Sequence, residues 1–289
     1  MAKRKAFLHV GLDDRSADFL DAALELHEHA LADLGVRRPA ASAEEMFRAA
    51  IEIRRDHRAW GYARAEVEGA WSRICRRADR GKDTVVFSQP LLAEATSDQI
   101  ALLLDALAGF KTHVVITVAA PDTWSDPALD LGAIIDRWTN AVGKPERVHV
   151  IVVPPDRGRK AVWKAFGRIV GFGTASLPLD GVGKPLVERP QRLVSIERQD
   201  VLRQLGLRWG HHVASRAVDV HGDLGDLGDN GCAVADAQQL VDSSDQALGE
   251  ALRELERLAR RNDTLVTRVG ELERKQRRLR RRESDSSVA

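Results

Sequence analysis

The run Phe7-Leu8-His9-Val10-Gly11-Leu12 passes into Asp13-Asp14-Arg15-Ser16-Ala17-Asp18, after which Phe19-Leu20 opens a helical pattern. An apolar strand ending in Gly, a six-residue turn and a helix start is the layout in which backbone N–H groups and a helix N-terminus hold phosphate. The residue types in the turn oppose that chemistry. Asp13, Asp14 and Asp18 put three carboxylates where an anion would sit. Two like charges about 4 Å apart at an effective dielectric near 20 repel by roughly 4 kcal/mol. Arg15 offsets part of this charge, and Ser16 adds a hydroxyl.

The wording of this stretch resembles the actinobacterial sulfotransferase-like family, whose first strand reads F-L-H-V-G and continues P-K-T-G-T-T before an aromatic–Leu pair. The likeness continues, in the family's order, through Val85-Val86-Phe87-Ser88, Ser97-Asp98-Gln99-Ile100, Asp136-Arg137-Trp138, the strand and prolines of 148–155, and the segment 218–224. It covers most of residues 5–230. The resemblance implies a parallel α/β sheet of the phosphate-loop type and 3′-phosphoadenosine 5′-phosphosulfate (PAPS) as donor, with the lysine and hydroxyls of the loop on its phosphosulfate.

Laid alongside without a gap, Asp13 stands at the family's Pro and Asp14 at its Lys. Arg15 and Ser16 stand at Thr and Gly, and Ala17 and Asp18 at the two hydroxyl residues. After the strand at 113–118 the family continues R-D, whose Arg binds the 3′-phosphate. Here Ala119-Ala120 follows, and the segment before Asp136 is shorter. The family also tends to place an acid after the serine of its second strand, where a general base is useful. Here Ser88 is followed by Gln89 and Pro90, and Gln89 takes no proton at neutral pH.

The resemblance therefore implies a degenerate donor loop at Gly11, Asp13, Asp14, Arg15 and Ser16. It implies no cofactor, and a binding or scaffolding role in place of catalysis. The alternative is an active PAPS-dependent sulfotransferase that grips its donor through Arg15 and Ser16, with His9 as base on the acceptor.

The elements that must position these residues are legible as short apolar runs at 6–10, 84–87, 113–118 and 147–153, each followed by a turn and a helical pattern. Such alternation predicts an α/β fold with a parallel sheet flanked by helices. Runs such as 114–118 and 148–153 are apolar on successive residues, as interior strands covered on both faces should be. The spacing predicts helices over 17–35, 42–58, 97–107 and 129–142, with Ser42 and Glu45 as a capping box for the second. At 289 residues the chain is long enough for a sizeable core, and 44% apolar with 30% charged residues marks a globular protein. The apolar run after the basic start, 6–12, is too short for a signal-peptide core or a membrane span, so a cytoplasmic location is expected.

From residue 248 the period changes. Leu258, Leu265, Leu272 and Leu279 stand seven apart, and Leu255, Asn262 and Val269 stand three before the first three of them, with Leu248 earlier. This is an a/d heptad seam, and Asn262 at an a position suits a parallel two-stranded coil. The expected organisation is an α/β domain over 1–230, a linker over 231–244, a coiled-coil helix over 245–282 and a disordered tail over 283–289. The expected partner is a second copy of the chain. The alternative is one long helix packing its seam on its own domain, with Leu252 and Val266 widening the stripe. Seven of the nine residues 274–282 are basic. Such a block binds nucleic acid weakly and without sequence preference, or simply complements the helix macrodipole.

Other clusters have the spacing that an ordinary polar helix face produces by chance. Glu25, His29 and Asp33 recur at four-residue steps, and His211-His212 stand near His221 and Asp223. Neither has a second cluster to complete a coordination shell, so no metal is expected. The glycines and aspartates of 222–231 lack the spacing and final Glu of a calcium loop and read as a connection. Cys75 and Cys232 give neither a disulfide framework nor a zinc motif. The tryptophans at 60, 71, 124, 138, 163 and 209 read as core packing.

Overall fold

A computed structural model describes residues 3–12, 14–121, 130–155, 158–182, 193–229, 233–234 and 249, and of 14–18, 193 and 233–234 the backbone alone. By contacts the chain divides into two compact units, residues 1–192 with 196–233, and residues 193–195 with 234–289.

The first unit is built on a six-stranded sheet. Its strands are β1 (Arg4–Gly11), β2 (Val36–Arg37), β3 (Thr84–Ser88), β4 (Phe110–Val118), β5 (Val148–Val152) and β7 (Asp219–His221). They lie in the order β2-β3-β1-β4-β5-β7, and every neighbouring pair is parallel. Apart from the sheet, β6 (Leu193–Val194) and β8 (Ala233–Val234) form a two-stranded ribbon. The helices are α1 (Asp14–Leu26), α2 (Glu28–Asp33), α3 (Ala43–Arg54), α4 (Arg64–Val67), α5 (Ala70–Asp79), α6 (Ser97–Asp105), α7 (Leu131–Val142), α8 (Arg159–Val170) and α9 (Ile196–Ala214). None among the described residues is long and apolar enough to cross a membrane.

Alternation along the strands sorts side chains between two cores. Ala6, Leu8 and Val10 of β1 face a cluster with Val114, Ile116 and Val118 of β4 and residues of α3, α5, α6, α7 and α9. Phe7 faces the other way, joining Val115, Ile151 and Val153 with Phe19, Leu20 and Leu24 of α1 and Trp163 and Phe166 of α8. Two-sided burial is why these strands read as unbroken apolar runs.

The α3 capping box forms as its spacing predicts, with one shift. Glu45 N donates to Ser42 Oγ at 3.1 Å, while the Glu45 carboxylate accepts from the N–H of Ala41, one residue before the cap. Arg77 also reaches that carboxylate. The region read as one helix over 17–35 breaks at His27, whose ring stacks on Trp163 and whose Nε2 lies 2.8 Å from the carbonyl of Pro178. Glu25 and His29 consequently sit on different helices. Trp71, Trp138, Trp163 and Trp209 are buried, but Trp60 is half exposed in a turn and packs edge-on against Phe47. Within the expected linker 231–244 only the short strand β8 is described, and the heptad residues Leu248 to Leu279, the basic block 274–282, the tail 283–289, Trp124 and Cys232 lie outside the described residues.

Candidate functional site

In open α/β sheets, ligands bind outside the carboxyl ends of the strands, where neighbouring connections depart to opposite faces. Here that point is the end of β1. The chain leaving β1 enters α1 on the α8 face, while the connections leaving β3 and β4 supply α6 and α7 to the other face.

His9 stands two residues before the end of β1, aligned with Ser88 of β3 and Val115 of β4. Its Nδ1 lies 2.8 Å from Ser88 Oγ and its Nε2 3.1 Å from Thr117 Oγ1, and Phe166 meets the ring edge-on. The imidazole is 0% exposed. Burial alone pushes its pKa down to about 4, so the ring is neutral at physiological pH. A neutral imidazole offers one donor and one acceptor, and the two hydroxyls rotate to match either tautomer.

The strand ends are tied by the backbone as well. Leu12 N donates to the carbonyl of Thr117 at 2.9 Å, and Gln89 N donates to the carbonyl of His9 at 3.0 Å. Gln89 then caps the turn at 90–94, its side-chain oxygen accepting from Leu91 N at 3.2 Å.

One expectation is corrected here. The six-residue turn over 13–18 does not form, because α1 begins at Asp14 and only Leu12 and Asp13 separate it from β1. Acidic residues at a helix start favour this, since the N-terminal N–H groups and the macrodipole stabilise carboxylates. The residues that an anion-binding loop would use thus go into the first helical turn. Asp13 and the side chains of Asp14, Arg15 and Ser16 lie outside the described residues. Ala119, at the position where the resemblance implies an arginine, packs partly buried against the α8-side core.

A cleft of about 270 Å³ lies at the opposite end of the sheet, lined by Arg37, Arg38, Arg77 and Arg80 among others. Three of these four arginines already have acidic partners: Arg37 pairs with Asp83 at 2.5 Å, Arg38 with Asp21 at 3.6 Å, and Arg77 with Glu45. Little positive charge is left over for a ligand.

A second polar constellation crosses β4, β5 and β7 on the α8 face. His113 Nδ1 lies 3.0 Å from His149 Nε2, His149 Nδ1 lies 2.7 Å from Asp219 Oδ2, and His221 Nε2 lies 2.9 Å from that same oxygen. Burial lowers the pKa of His149, and Asp219 only partly opposes it. Burial raises the Asp219 carboxyl, but hydrogen bonds from His149 and His221 outweigh this and hold it below its ordinary range.

The histidine groupings suggested by the chain order are not the ones that meet. His221 joins His149 and Asp219, whereas His212 turns to Asp136 at 3.2 Å, which also pairs with Arg216 at 2.9 Å. The signal available was the alternation of His149 with Ile151 and of Asp219 with His221. It became a site only once β5 and β7 were adjacent. Cys75 is buried, and burial pushes its thiol up to about 12, leaving it inert.

No protein-family model, curated protein or solved structure matches this chain.

Proposed function

We propose that this protein is a divergent sulfotransferase-like α/β protein that does not use PAPS and works by binding, self-associating through the heptad segment 248–279. The observation that carries this reading is the two-residue connection between β1 and α1. A phosphosulfate needs a loop long enough to wrap its oxygens with backbone N–H groups, and a cation beside it. This chain has a helical turn there instead, beginning at Asp14, with Asp13 preceding it in the sequence.

The state of His9 favours the same reading over a catalytic one. A general base must reach the acceptor proton, directly or through one water. His9 has no exposed surface, and both ring nitrogens are engaged by Ser88 and Thr117. Its role is to join three adjacent strands beneath the site.

Two measurements test the reading. With PAPS and a panel of phenol and alcohol acceptors, the intact protein and its Arg15→Ala variant are expected to be equally inactive. Transfer by the intact chain that Arg15→Ala abolishes would establish the enzyme. In sedimentation, the intact chain is expected to dimerise and Leu265→Glu to be monomeric, since a charge at a core d position opposes the seam. A monomeric intact chain, or dimers that Leu265→Glu leaves unchanged, would remove the self-association part.

A further inference from the structure

We propose that His149, Asp219 and His221 form a binding site for a late divalent transition metal of the zinc class, at the β5–β7 edge of the sheet. The register generates the site. His149 lies opposite Asp219 and Ile151 opposite His221, so the two β7 residues, two positions apart, project to the same face as His149. One ligand atom from each residue falls within a group whose members all lie within 4.8 Å of one another. Zinc held by imidazole nitrogens and a carboxylate oxygen at about 2.0–2.2 Å sets its ligand atoms a little over 3 Å apart. The two contacts to Asp219 Oδ2, at 2.7 and 2.9 Å, need to open by only a few tenths of an ångström.

The donor set selects the metal. Two imidazoles and one carboxylate suit zinc, copper, nickel or iron, whereas calcium and magnesium prefer oxygen alone. Three protein ligands also leave a position for water or a small ligand. The opening is on the Asp219 side: that side chain is 46% exposed, while those of His149 and His221 are 9% and 13% exposed.

An outer partner is already in place. Ligating histidines generally hold their second nitrogen against an acceptor, which fixes tautomer and ring orientation. When His149 Nδ1 gives its lone pair to the metal, Nε2 carries the proton and donates to His113 Nδ1, 3.0 Å away. The two rings lie nearly parallel, 14° apart, and His113 is itself buried with Phe7 against its face. Lys5 is close enough to act on His149 electrostatically, so Asp219 supplies the compensating negative charge.

The test uses the full-length chain without a histidine tag, titrated by calorimetry with Zn²⁺ and followed in visible absorption with Co²⁺. The expected result is one equivalent bound, with the intense absorption of four-coordinate cobalt. Asp219→Asn and His221→Ala are expected to weaken binding by well over tenfold while the circular dichroism is unchanged. These two residues sit at the sheet edge, so their variants keep the test open even where His149→Ala fails to fold. His113→Asn is expected to weaken affinity about tenfold and leave the cobalt spectrum four-coordinate, as a positioning residue should. No binding by the folded protein, or binding that Asp219→Asn and His221→Ala do not change, would overturn the proposal.

Discussion

Replacing His9 by alanine is expected to destabilise the protein by about 4 kcal/mol, through a cavity at the centre of the sheet and two buried hydroxyls left without a partner. Ser88 Oγ and Thr117 Oγ1 both bond to the ring, which bridges β1 to Ser88 in register on β3 and to Thr117 two residues further along β4. Denaturant titration measures the loss. A cost below about 1 kcal/mol would mean that the ring contributes little to joining the strands.

The same residue gives a signed pH dependence. Its folded pKa, about 4, lies below the ordinary value of 6.5, so between these limits the unfolded chain binds the extra proton. Stability from His9 is therefore fully present above pH 6.5 and is lost as pH falls toward 4, about 3 kcal/mol in all. His9→Gln removes the titrating ring. Its stability should fall less steeply over that window than the parent's, by up to about 1.4 kcal/mol per pH unit. Identical slopes would contradict the burial account.

The second large effect is expected at Gly206→Ala. In an ordinary helix this change is favourable by up to about 1 kcal/mol. Here a Cβ would lie 1.7 Å from the Leu227 carbonyl oxygen and 2.6 Å from its carbon, because the turn at 224–228 rests directly on α9. Backbone cannot yield as a flexible side chain does, so the sign reverses and a loss of about 3 kcal/mol or more is expected. Thermal unfolding should shift down on the order of 10 °C. The comparison is Gly143→Ala, where no atom lies within 4 Å and only the left-handed backbone, φ 69°, opposes the side chain. That variant should lose about 1–2 kcal/mol. Equal effects at the two positions would dismiss the steric explanation.

The strands β1, β3, β4 and β5 were legible because each is buried on both faces and so writes a continuous apolar run. The strands β2 and β7 were not. Val36–Arg37 is two residues long, and Asp219–His221 alternates polar side chains at the sheet's edge, with no apolar run to detect. The break at His27 was hidden for a related reason. Leu24 and Leu31 are seven residues apart and both buried, so the apolar period crosses the break without a fault.

At the site, the sequence disclosed the residue types but not their grouping. The acids at 13, 14 and 18 were plain, yet their effect on the turn was not. Charge at a helix start favours extending α1 back to Asp14, which a reading of loop length by alignment does not include. The contact between His149 and His221 joins residues 72 positions apart on strands whose adjacency is a property of topology. Spacing along the chain carries no trace of it, so His221 was grouped with its sequence neighbours.

The most direct test of the central claim, that the carboxyl end of β1 no longer holds a PAPS-type donor, is calorimetric titration of the full-length protein with 3′-phosphoadenosine 5′-phosphate at low salt. The account predicts no heat of binding even at high protein concentration, because helix α1 takes up the residues a phosphate loop would use and the sequence there is acidic where such a loop is basic. Saturable binding in the micromolar range would contradict it.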